Sequence, residues 1–241
     1  MAKIKINFPG GRISGKLNGL VYKVRNGKNY VSAPPVRTTK PSEYEILRRN
    51  NFGVTAKLAS KLSKAAHAEE IWNKHKRKNQ TVFNAIFKNV YDLVVNKIIS
   101  DDVHIYPHIF GFDIPDDSVK YEDNVLKASF DYDELKSHLQ CMLEYIQMSV
   151  VIVCRQPVMD NLPETAIINW NSKPVTPQPD GSFRFTLSLS ENDSCIPVLS
   201  DQEKEIITNY EVCNVFAAFV ALDKEEEYLV HSDTVSFINI K

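Results

Sequence analysis

The chain has 241 residues, 43% of them hydrophobic and 24% charged, an ordinary globular composition with room for one large or two modest domains. Its net charge of −1 hides a split: residues 1–90 carry 19 Lys/Arg against 4 Asp/Glu, net +15, and residues 91–241 carry 10 against 26, net −16. The asymmetry points to an anionic partner for the first part, or to attraction between the halves or between subunits. A membrane-spanning helix and a secretory leader are not expected: no apolar run approaches the ~20 residues of a membrane span, and MAKIKINFPGG lacks the apolar core of a leader.

Residues 3–8 alternate Lys-Ile-Lys-Ile-Asn-Phe, the period of a half-buried strand, and Pro9-Gly10-Gly11 ends it. Leu20 to Val24 and Tyr30 to Ala33 flank Asn26-Gly27, a strong hairpin signal because both turn residues tolerate positive φ. Pro34-Pro35 then forces an extended arm. Ser42 with Glu45 forms a capping box that starts a helix over about 43–66. A short turn around Trp72 follows. Val82, Phe83, Ile86, Phe87, Val90, Leu93, Val94 and Ile98 then recur at helical spacing, predicting a second helix over 79–99. The two form an antiparallel pair.

Residues 101–118, rich in Pro, Gly and Asp, read as an irregular linker. A short helix is expected from Asp131 through Tyr145. Strands are expected over 125–130, 148–154, 165–170, 183–189, 212–222, 227–231 and 234–240, with Asp180-Gly181 as a turn. The expected fold is α+β: a β-hairpin, extended arm and helical pair over 1–100, a linker over 101–120, and an immunoglobulin-like antiparallel β-sandwich over 121–241.

No stretch carries recognisable catalytic chemistry. Gly10 to Lys16 approaches a phosphate-binding loop, but Leu17 stands where the Mg²⁺-holding Ser or Thr belongs, and a strand rather than a helix follows. His104 and His108, with Asp101 and Asp102 nearby, have metal-ligand spacing on a helix; Pro107 between them argues for a loop. No nucleophile motif of the G-x-S-x-G kind occurs, and the acidic runs at 116–117 and 225–227 lack the glycine of a calcium loop. Cys141, Cys154, Cys195 and Cys213 form no C-x-x-C pair and sit among apolar neighbours, as buried thiols of a reducing compartment would. No cofactor, metal or small-molecule substrate is expected. The expected partner-binding residues are Arg12, Lys16, Tyr22, Lys23, Arg25, Lys28, Tyr30 and Arg37 of the hairpin and arm. Arg48, Arg49, Lys74, Lys76, Arg77 and Lys78 are the candidate anion-binding set.

The pattern G-x-x-S-G-K-x-x-G-x-V-Y, carried by Gly11, Ser14, Gly15, Lys16, Gly19, Val21 and Tyr22, is followed by Asn26-Gly27-Lys28, Tyr30-Val31, Pro35, Pro41-Ser42, Glu45, Arg49 and Phe52. It resembles an uncharacterised family found in Bacteroidetes-type bacteria and in tailed phages and prophages. Glu45 stands where Gln is usual in that family. The resemblance transfers no active site. Through the phage members it implies a virion structural role, in the virion or in a bacterial cytoplasm. The expected function is therefore non-enzymatic assembly through the N-terminal arm; the alternative is a DNA-binding accessory protein using the basic half.

Overall fold

A computed structural model of the protein describes residues 15–17, 19–25, 28–34, 40–108, 111–115, 117–122, 124–133, 135, 143–189 and 199–240. The strand expected over 3–8, the glycines at 10–11, Arg12, Arg37, the Asn26-Gly27 turn, most of the helix expected over 131–145, Cys141 and Cys195 lie outside the described residues. The fold is mixed α and β, with antiparallel sheets and, among the described residues, four α-helices. It divides into two compact units, residues 1–46 and 47–241.

The first unit holds a three-stranded antiparallel sheet of β1 (Gly15–Leu17), β2 (Leu20–Arg25) and β3 (Lys28–Ser32) in that order. Arg25 opposite Lys28 is the innermost pair of the β2–β3 ladder, as the hairpin reading required. The capping box at Ser42 is formed. The Glu45 amide donates to Ser42 Oγ and the Ser42 amide to Glu45 Oε2, each at 3.2 Å. Helix α1 (Glu43–Leu62) starts there.

In the second unit, α1 buries Val54, Thr55, Leu58, Ala59 and Leu62, a stripe at helical spacing. Helix α2 (Ala68–His75) buries Ala68, Ile71 and Trp72. Helix α3 (Val82–Val90), capped by Thr81, buries Ala85, Ile86 and Val90. It stops well short of the expected end at Ile99. A 3₁₀ turn (Tyr91–Leu93) leads instead into the hairpin of β4 (Val94–Val95) and β5 (Ile98–Ile99). Asn96 and Lys97 both take positive φ, 51° and 66°, the geometry of a two-residue hairpin turn. Four β-branched residues around an Asn favour that hairpin over another helical turn.

The remaining strands are β6 (Val119–Glu122), β7 (Val125–Asp131), β8 (Tyr145–Pro157), β9 (Thr165–Asn171), β10 (Ser182–Ser188), β11 (Tyr210–Leu222), β12 (Tyr228–His231) and β13 (Val235–Ile240). Helix α4 (Asp201–Thr208), which the sequence reading missed, is set by a capping box between Ser200 and Glu203. A three-stranded sheet has the order β10-β7-β6. A larger one has the order β12-β11-β8-β9, with β13 also on β11.

The alternation of β8 and β11 explains how the layers stack. Ile146, Met148, Val150, Ile152 and Cys154, with Cys213, Val215, Ala217, Phe219 and Ala221, join a core with Leu126, Ala128, Phe130, Phe183, Phe185 and Leu187 of the smaller sheet. The intervening Val151, Val153, Phe216, Ala218, Val220 and Leu222 join a second core with the buried faces of α1, α2 and α3. The two central strands are thus covered on both faces, and so read as nearly continuous apolar runs. The irregular segment after β5 contributes apolar side chains to the interior. Val103, Ile105, Tyr106 and Phe112 are all buried. No helix among the described residues is long and apolar enough to cross a membrane.

Candidate functional site

The ladder register decides which hairpin residues share a face. Lys16 pairs with Val21, and Lys23 with Tyr30. Directly opposed residues point to the same side of a sheet, and residues two apart on a strand do likewise. Lys16, Lys23 and Tyr30 therefore share one face, and Tyr22, opposite Val31, occupies the other. Lys16 and Lys23 are exposed; Tyr22 and Tyr30 are half-buried.

The six anion-binding candidates fall into two places. Arg48 and Arg49 are exposed on α1, and Lys74, Lys76, Arg77 and Lys78 lie in or just after the last turn of α2. Lys74 has an internal role. Its Nζ donates to Glu70 at 2.9 Å and sits 4.3 Å from the centre of the Tyr228 ring. Arg77 and Lys78 are exposed.

Sequence spacing brings out His104 and His108 but not His231, beside which residues 104–108 and 111–112 run at the end of β12. His231 is almost fully buried. Its Nε2 lies 2.9 Å from the Pro107 carbonyl, which can only accept, so Nε2 carries the proton. Nδ1 then accepts from the Tyr228 hydroxyl at 2.8 Å. Burial holds the His231 pKa below its ordinary value, against the opposing pull of the Pro107 carbonyl. The Tyr106 and His75 rings pack against the imidazole, at 5.3 and 6.4 Å between ring centres.

Beside this neutral, fully bonded histidine lies a second group. His104 and His108 stack at 4.8 Å between ring centres. His108 Nδ1 is 2.9 Å from Asp233 Oδ1. Burial first, and the neighbouring His108 second, push the His104 pKa down. The partners that sequence proximity suggested are elsewhere: Asp101 accepts from the Asn214 side chain, and Asp102 from Ser100 Oγ. The carboxylate that joins the histidines is 125 residues downstream of His108, so only strand pairing could reveal it.

A strip of aromatic side chains is also at the surface. Phe87 is 4.8 Å from Phe52, 6.1 Å from Phe83 and 5.5 Å from Tyr91 between ring centres. Phe52 is 56% exposed and Phe83 38%. No protein-family model, curated protein or solved structure matches this chain.

Proposed function

We propose that this is a non-enzymatic structural protein that assembles with copies of itself or with other structural proteins through its amino-terminal hairpin and arm. One observation carries the reading: no described side chain of the β1–β3 sheet is buried. A sheet of three strands is stable by itself only when an apolar face is covered. Leu20, Tyr22, Val24 and Val31 supply such a face, and none of them is buried among the described residues. Lys16 and Lys23 beside Tyr30 suit the acidic surface that residues 91–241 of a neighbouring copy would offer. The strip of Phe52, Phe83, Phe87 and Tyr91 adds a second apolar area of the kind that interfaces cover. The family resemblance extends the reading to a phage virion component, at a head–tail connector, in a tail or on a capsid. The two sheets that share a core we read as a β-sandwich of immunoglobulin-like type, with the helices as an added layer.

Size-exclusion chromatography with light scattering tests the proposal, on the full chain and on a chain lacking residues 1–40. The expected result is concentration-dependent oligomers for the full chain and a monomer for the shortened one. A full chain that stays monomeric across concentration and salt overturns it. The exposed Arg77 and Lys78 favour a second reading, DNA binding by the basic half. It predicts retention of DNA at low salt that falls steeply as salt rises; a chain with no retention at low salt excludes it.

A further inference from the structure

We propose that His104, His108 and Asp233 form a binding site for a divalent transition-metal ion of the Zn²⁺, Co²⁺ or Ni²⁺ kind. One potential ligand atom from each residue lies within 4.8 Å of the other two. The proposal goes beyond the assembly reading and does not depend on it.

Three observations carry it. The first is spacing. An ion with donors at about 2.0–2.1 Å holds neighbouring donors roughly 2.9 Å apart in octahedral geometry and roughly 3.3 Å apart in tetrahedral geometry. His108 Nδ1 and Asp233 Oδ1 are already 2.9 Å apart. An ion would replace the hydrogen between them, the ring proton moving to Nε2. The second is an orphan. His104 Nδ1 is buried and has no hydrogen-bond partner. A buried ring nitrogen without a partner is uncommon and asks for one, and a metal ion serves when that nitrogen is unprotonated.

The third is preorganisation. The segment with both histidines is pinned to the segment with the aspartate on either side of the site. The Ile105 amide donates to Thr234 Oγ1 at 2.8 Å, His231 Nε2 donates to the Pro107 carbonyl at 2.9 Å, and the Phe112 amide donates to the His231 carbonyl at 2.9 Å. Gly111 makes this approach possible: a Cβ there would stand 2.5 Å from the His231 carbonyl oxygen. The three candidate ligands thus sit on a frame whose backbone is set without them. The His108 and Asp233 side chains are 68% and 45% exposed, so an ion has access from solvent.

The donor set decides the class. Two imidazoles and one carboxylate suit borderline transition metals rather than Mg²⁺ or Ca²⁺, which prefer oxygen alone. Three protein ligands leave at least one position for water or for a donor from another molecule.

The test uses the full chain without a polyhistidine tag, stripped with chelator. Co²⁺ titration is followed by visible absorption, and Zn²⁺ binding by calorimetry. The expected result is one equivalent bound with a Co²⁺ ligand-field band. His108→Ala and Asp233→Asn should each weaken binding at least tenfold. His67→Asn, which keeps a residue tolerant of the left-handed backbone there, should leave it unchanged. Absence of stoichiometric binding by the unmodified chain overturns the proposal. So does stoichiometric binding that survives both substitutions. Should a variant fail to fold, the titration of the unmodified chain alone decides.

Discussion

Tyr106 shows how one hydroxyl ties separate elements together. It donates to the Ala66 carbonyl at 2.7 Å and meets Ser149 Oγ at 2.9 Å, and that Oγ accepts from the Ala66 amide at 3.0 Å. The ring closes on itself in the buried interior. Tyr106→Phe leaves the Ala66 carbonyl and the Ser149 hydroxyl short of a partner, and should cost about 1–3 kcal/mol in denaturant unfolding. Combined with Ser149→Ala the losses should not add, since the two share one network. Burial raises the Tyr228 pKa to about 12, with Glu70 as a smaller cause, and moves Tyr106 the same way. A raised folded-state pKa means that the native chain keeps protons the unfolded chain releases. Stability from Tyr228 is complete below the ordinary tyrosine value near 10.0 and is lost as pH rises from there through about 12, and the Tyr106 contribution is lost in the same direction. Thermal midpoints measured from pH 8 to 12 should fall from about pH 10, and less steeply in Tyr228→Phe.

At the scale of elements, strands covered on both faces were the most legible. β8 and β11 announced themselves as apolar runs, and their observed bounds only lengthen the expected ones. The hairpin β4–β5 was the least legible, because Leu93, Val94 and Ile98 continue the helical spacing of α3 by coincidence. Periodicity cannot separate the two over so few residues; the turn residues Asn96 and Lys97 can. Helix α4 was missed for a different reason. Its capping box was present, but its apolar stripe is short and buries Ile207 alone. The segment 101–118 looked like a linker because polar and turn residues dominate it, yet its few apolar side chains are buried. Its tight crossing at residue 111 makes a direct prediction. Gly111→Ala places a methyl against the rigid His231 backbone, and should cost about 1–3 kcal/mol. Hydrogen exchange should then quicken at Phe112 and Ser232 before it does in β8.

At the scale of the molecule, the first 46 residues and the rest form separate compact units. A chain beginning at Pro41 keeps the Ser42–Glu45 capping box and both cores of the second unit. It should unfold cooperatively, with a thermal midpoint within a few degrees of the full chain's. A loss of cooperative unfolding would show that the hairpin unit contributes to those cores. The charge split belongs to this scale too. If hairpin cations meet acidic surface on another copy, raising salt from 50 to 500 mM should lower the apparent mass in light scattering.

Residue order by itself determined the local structure: the hairpin ladder, the Ser42 cap, the stripe of α1, and most strands of the second unit. Each follows from backbone sterics and from the period at which apolar side chains recur, both legible over a few residues. Tertiary structure alone decided that the helices cover one face of the larger sheet, that Cys154 and Cys213 are paired in register with their sulfurs 3.4 Å apart, and that Asp233 stands beside His108. Such neighbours are set by which strand lies against which. That is a property of the packed chain, and no spacing along the sequence encodes it.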